Sequence, residues 1–212
     1  MYLAGVDGNK KGWSVALQHG ENVTLELHPN IESIWNAHPQ LQGMAIDMII
    51  GLPAASRKGG RKADKEARKL LSPRGSVVFS CPCRAAIYAD TYEEALQVSR
   101  NSCADMVGLS KQSYNIAPKI IELDKFLRRS STAHLIFETH PELGFWEMNQ
   151  RQPLPSKHTL PGIQARKTLL SKEGFPVSSA QTVDDLDALA CLWSAKRQYQ
   201  KKSHSLFHAP PI

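Results

Sequence analysis

The chain has 212 residues, of which 42% are hydrophobic and 22% charged; this supplies a packed core and excludes a disordered or fibrous protein. A net charge of +6 favours an anionic partner, nucleic acid first among them, without fixing one. Cys81, Cys83, Cys103 and Cys191 include a pair one residue apart, a spacing shorter than zinc sites use, so reduced thiols are expected.

Residues 2–6 and 12–18 read as strands around the turn Gly8-Asn9-Lys10-Lys11-Gly12, and 23–27 alternates as a third antiparallel strand does. Pro29-Asn30 opens a short helix in which Ile31, Ile34 and Trp35 share a face. A buried strand at 44–50 ends at Gly51-Leu52-Pro53. A basic, glycine-containing loop at 54–62 leads into helices at 62–71, 91–106 and 110–129. A strand is predicted at 76–79, between turns at 72–75 and Pro82. This block, 54–131, reads as a helical insertion in a single domain covering 1–200. There follow a strand at 133–138, a short helix at 141–149, a proline-containing loop at 152–162, helices at 163–172 and 182–198, and a flexible polar tail at 201–212. The chain starts at once on a strand, and no apolar run reaches the roughly 18 residues of a membrane span. A cytoplasmic protein with no membrane contact is therefore expected.

Three carboxylates close apolar runs: Asp7 after 3–6, Asp47 after 44–46 and Glu138 after 134–137. A fourth, Asp187, lies inside the apolar helix Leu186-Asp187-Ala188-Leu189-Ala190. Unpaired carboxylates beside apolar surface are costly, and several together repel one another. Divalent cations relieve both costs, which points to metal-assisted phosphoryl chemistry. At 100° per residue, Asp184 stands about 60° from Asp187 around the last helix, so both reach a common point. Asp185, three residues after Thr182, fits a capping box instead. The competing readings are a turn residue for Asp7, a salt bridge for Glu138, and macrodipole stabilisation for Asp184. His140 reads first as structural, and Glu142 as serving the helix start after Pro141. Arg57, Lys58, Arg61, Lys62 and Arg68 form either a phosphate-contacting rim or a solvated helix face. Lys157, Arg166 and Lys167 are weaker candidates of the same kind.

Three strands, a helix and a further strand, with acids at the strand ends, resemble the ribonuclease H-like fold: an α/β mixed sheet of three antiparallel strands followed by parallel ones, flanked by helices. Asp184-Asp185-Leu186-Asp187 resembles the last-helix signature of RuvC-type enzymes of that fold. More narrowly, the chain resembles the domain-of-unknown-function 429 family of predicted nucleases over nearly its whole length. The motifs are Val6-Asp7-Gly8, Ile46-Asp47 with Gly51-Leu52-Pro53, Gly60-Arg61-Lys62-Ala63-Asp64 with Ala67-Arg68, Leu109-Ser110 with Gln112, Asn115-Ile116, Pro118-Lys119-Ile120, Glu138-Thr139-His140-Pro141-Glu142 with Phe145-Trp146, and the last-helix run. Met48-Ile49-Ile50 departs from the proline that the family often carries there.

The expected function is a metal-dependent nuclease. Asp7, Asp47, Glu138 and Asp187 are its expected ligands for Mg²⁺ or Mn²⁺, with Asp184 a further catalytic candidate. Lys10, Lys11, Arg57, Lys58, Arg61, Lys62 and Arg68 are expected to contact the nucleic-acid backbone. One alternative is a catalytically silent nucleic-acid-binding protein. Another is an ATPase or kinase using Asp7–Gly12 as a phosphate hairpin, which a single copy of the fold disfavours. DNA and RNA both stay open, as do monomer and homodimer.

Overall fold

The structure is a computed structural model describing residues 1–206; the remainder of the expected tail, 207–212, lies outside the described residues. The chain divides into two compact units, one of residues 1–48 and 130–204, the other built on 49–129.

The first unit opens with a meander. β1 (Tyr2–Asn9) and β2 (Gly12–His19) are joined by Lys10-Lys11, where the Lys11 N–H donates to Asn9 Oδ1 at 2.8 Å. Gly12 has φ +148°, and a Cβ there would meet the His28 carbonyl oxygen at 2.1 Å, so no other residue closes this turn without strain. β3 (Asn22–His28) completes the antiparallel trio. α1 (Ile31–Ala37), capped by Asn30 Oδ1 accepting from Ser33 N–H at 2.8 Å, carries the chain to β4 (Gly43–Asp47), which runs parallel to β1.

The second unit holds α2 (Lys62–Leu70), α3 (Arg84–Ile87), α4 (Tyr92–Asn101), α5 (Lys111–Asn115) and α6 (Ala117–Arg129). The strand predicted at 76–79 is instead a 3-10 turn, Gly75–Val77, closed by Val78 N–H donating to the Gly75 carbonyl at 3.1 Å. No other strand among the described residues of this unit offers it a ladder. The helix predicted at 91–106 stops at Asn101, and that at 110–129 breaks at Ile116. Pro118 lacks the N–H that a continuous helix needs and sits instead in the first turn of α6.

Back in the first unit, a 3-10 turn at Ala133–Leu135 takes the first half of the predicted strand 133–138, leaving β5 (Ile136–Glu138) parallel to β4. α7 (Pro141–Met148), α8 (Leu160–Lys172) and α9 (Val183–Tyr199) follow. The sheet order is β3-β2-β1-β4-β5, the mixed α/β sheet expected, with antiparallel strands on one side and parallel ones on the other. α9 lies across β1, β2 and β4, burying Leu186, Leu189, Ala190 and Trp193 in a core with Leu3, Ala16, Ala45 and Phe145. Among the described residues no helix is long and apolar enough to cross a membrane.

Candidate functional site

Register decides which acids meet. β1 and β4 are adjacent and parallel, and Asp7 stands directly beside Asp47, as Gly5 stands beside Ala45. Side chains alternate along a strand, so Leu3, Gly5 and Asp7 share one face, and Ala45 and Asp47 share it with them. α9 covers that face at close range. A Cβ on Gly5 would lie 2.0 Å from Leu192 N and 2.3 Å from the Ala188 carbonyl oxygen, so the missing side chain is what lets the helix settle on β1. Asp187, one residue before Ala188, is thereby held over the same end of the sheet.

The electrostatics report the resulting crowding. Asp7 is buried and held well above the usual carboxylate range, by loss of solvent first and then by the charges of Asp47 and Asp187. Asp184 adds to the same repulsion, so the two acids three apart on α9 both face Asp7. Asp47, half-buried, is raised by burial, against the pull of His140, Lys157 and a hydrogen bond from Asp7. Asp187 is 1% exposed and pushed up to about 6, burial outweighing the attraction of Lys157. Cys191, one turn further along α9, is raised by burial and by the same three aspartates, and stays a thiol.

A cation faces this group. Lys157 Nζ donates to Asp187 Oδ2 at 2.5 Å; burial acts to lower its pKa, but Asp187, Asp7 and Asp47 together hold it above the ordinary lysine value. The other oxygen, Asp187 Oδ1, is buried and has no hydrogen-bond partner among the described residues. Lys157 sits in the proline-containing loop, which Arg166 fastens. The Arg166 guanidinium is fully buried and donates to the carbonyls of Pro155 at 3.0 Å and Gly162 at 2.9 Å, and to Glu142 Oε1 at 2.5 Å. Glu142 thus answers Arg166, and Arg166 braces the loop that delivers Lys157. His140 caps α7, its Nδ1 accepting from Glu142 N–H at 3.2 Å, and it is among the groups that draw the Asp47 pKa down.

Glu138 is placed differently. Its register partner is Ile46, not Asp47, so the pleat turns it toward the face opposite Asp7 and Asp47. Its neighbours follow the alternation: Phe137 packs against the α9 core, and Thr139 Oγ1 donates to Ser194 Oγ of α9 at 3.2 Å. The structure therefore brings together Asp7, Asp47, Asp187 and Asp184, adds Lys157 and His140, and sets Glu138 apart from them.

The basic candidates divide as well. Lys10 and Lys11 are exposed on the hairpin, and Arg57, Lys58 and Lys62 are exposed in the second unit. Arg61 and Arg68 are half-buried braces there. Arg61 donates to buried Asp64 through Nη2 at 2.7 Å and to the Ile50 carbonyl at 2.6 Å, while Arg68 Nη2 holds the Gly59 carbonyl at 2.6 Å and Ser80 Oγ at 2.8 Å. Asp64 also accepts from the backbone N–H of Arg61 at 2.8 Å and of Cys81 at 2.9 Å. Most of the strongest signals in the Gly60–Arg68 motif thus belong to a structural knot.

As a donor set, the acidic group is all carboxylate oxygen, the chemistry that suits hard divalent cations such as Mg²⁺ and Mn²⁺. The buried Asp187 Oδ1 is an acceptor that no donor among the described residues satisfies, and one lysine does not neutralise three clustered aspartates. The residues fit a cation. The family model described as protein of unknown function, DUF429, matches residues 5–211, nearly the whole chain. No curated protein and no solved structure matches.

Proposed function

The chain belongs to the DUF429 family, and on that premise we propose that it is a metal-dependent nuclease hydrolysing phosphodiester bonds in nucleic acid. The observation that carries the reading is the side-by-side placement of Asp7 and Asp47 under Asp187, whose second oxygen is buried with no partner among the described residues. Asp7, Asp47 and Asp187 would hold Mg²⁺ or Mn²⁺, with Asp184 at the edge of the set; Glu138 is not part of it. Such ions supply water activation and stabilisation of the charge that develops on phosphoryl oxygens. The chain's own groups do the rest. Burial and the neighbouring aspartates make the Asp7 carboxyl reluctant to ionise, so it would gain from a cation as its ligand partner. Lys157 holds Asp187 in place until a cation binds and is left free to meet a phosphate oxygen. His140 and Lys157 oppose the rise that burial imposes on Asp47. The mixed sheet with its acids at one end agrees with a ribonuclease H-like assignment, and the exposed lysines and arginines agree with an anionic substrate.

The Lys157–Asp187 pair also favours a second reading, a nucleic-acid-binding protein in which lysine has taken the place of the ion and no cleavage occurs. One experiment separates them. Labelled single-stranded, duplex, hybrid and branched DNA and RNA are incubated with the protein and Mg²⁺ or Mn²⁺, beside Asp7→Asn and Asp187→Asn. The nuclease reading expects cleavage that chelation and either substitution abolish, with thermal midpoints unchanged or raised. Cleavage that survives both substitutions removes it, and binding without cleavage by any metal-loaded sample leaves the silent reading.

A further inference from the structure

A second cluster lies on the antiparallel side of the sheet, away from the aspartates in sequence and chemistry. Glu26 and His28 are two residues apart on β3 and so project to one face. His38, the C-cap residue of α1, reaches the same point from the other end of the crossover. Glu26 Oε2 lies 2.9 Å from His28 Nε2 and 3.0 Å from His38 Nε2. Each residue offers one ligand atom, and all three atoms fall within 4.8 Å of one another. We propose that Glu26, His28 and His38 form a binding site for a borderline-soft divalent metal, zinc being the expected ion, independent of the carboxylate site.

Three features carry this. The two Glu26–histidine edges, 2.9 and 3.0 Å, are close to those of a tetrahedral zinc centre, where bonds of about 2.0–2.1 Å put neighbouring ligand atoms roughly 3.3 Å apart. The far nitrogens are held as metal-binding histidines are held. His38 Nδ1 lies 2.5 Å from the Tyr2 hydroxyl, and His28 Nδ1 lies 3.4 Å from Ser33 Oγ, an outer shell of hydroxyls that orients both rings. The degree of enclosure also suits three protein ligands with one open position: His28 is buried, while Glu26 and His38 are partly buried. Without metal, both rings share one carboxylate oxygen. On binding, each Nε2 surrenders its proton, and the tautomer with Nδ1–H facing Tyr2 or Ser33 takes over. Two nitrogens and one oxygen select zinc over magnesium. An ion there ties β3 to the end of α1, so its first consequence is to fasten the crossover between β3 and β4.

The test uses the full chain stripped of metal. Zn²⁺ alone is titrated in competition with a chromophoric chelator, and Co²⁺ is added separately to read the visible spectrum. The expected result is one zinc equivalent with tetrahedral-intensity cobalt bands, a raised thermal midpoint, and at least tenfold weaker binding in His38→Gln and in Glu26→Gln. Asp7→Asn is expected to keep both the equivalent and the bands, which separates this site from the acidic one. Wild-type protein without the cobalt bands overturns the proposal whether or not the variants fold. So does a zinc equivalent that survives His38→Gln or is lost in Asp7→Asn.

Discussion

Asp187 shows most directly how a buried carboxylate shapes this molecule. Its pKa is about 6 in the fold, against an ordinary value of 3.8, chiefly because burial penalises the charge. Between those values the folded chain binds more protons than the unfolded one, so stability falls as pH rises through that window. Asp7, shifted in the same direction, extends the trend upward. Metal-free protein is therefore expected to be more stable near pH 5 than near pH 7.5, by roughly 1.4 kcal/mol from Asp187, out of about 3 kcal/mol over the full window. Urea midpoints across that range check this, and Asp187→Asn is expected to flatten the profile; a wild-type midpoint that rises with pH refutes it. Lys157 is the complementary case. With its ammonium on Asp187 Oδ2, Lys157→Met strips the aspartates of that neutralising charge, at a cost of about 3 kcal/mol at neutral pH. Mn²⁺ should then restore more stability to the variant than it adds to wild type, read as the rise in thermal midpoint; equal rises would mean that Lys157 and the ion do not occupy equivalent electrostatic roles.

At the scale of elements, β1 and α9 make the site possible by touching backbone to backbone. Gly5→Ala pushes a methyl to within 2.0 Å of Leu192 N, where no rotamer change gives relief, so the helix must lift. A loss of about 3 kcal/mol or more is expected, with weaker divalent binding as Asp187 leaves the sheet; a variant of wild-type stability contradicts this packing. The strands and the last helix were legible because their apolar spacing is set by one neighbour above and one below. Asp7 and Asp47 were legible for the same reason, since each ends such a run. Glu138 ends one too, yet its face depends on a single residue of register between β4 and β5, which no local pattern encodes. Lys157 was undervalued because its partner is 30 residues away and its loop is shaped by Arg166. The valines at 77–78 suggested a strand, but β-propensity needs a ladder to join. Glu26-Leu27-His28 carried no warning, because the third ligand arrives only once α1 folds back.

Across the whole molecule, charge is partitioned. Residues 49–129 hold 15 of the 26 lysines and arginines but 8 of the 20 acidic residues, which leaves that segment at +7 and the rest of the chain at −1. On the proposed reading, the basic excess that would draw a polyanion and the carboxylates that suit a cation therefore lie in different units, so each can be altered alone. Removing exposed Arg57, Lys58 and Lys62 together should weaken nucleic-acid binding at low salt. It should also flatten the dependence of log affinity on log salt by roughly 2 to 3, at about 0.7 to 0.9 for each phosphate no longer neutralised. Fluorescence anisotropy with a labelled oligonucleotide between about 50 and 200 mM salt reads that slope. Arg61→Ala is the informative control. Its guanidinium is already engaged by Asp64 and the Ile50 carbonyl, so the slope should hold while the second unit loses stability around a buried, under-satisfied carboxylate. A triple variant with an unchanged slope would place the polyanion elsewhere, with Lys10 and Lys11 on the β1–β2 turn the next residues to remove.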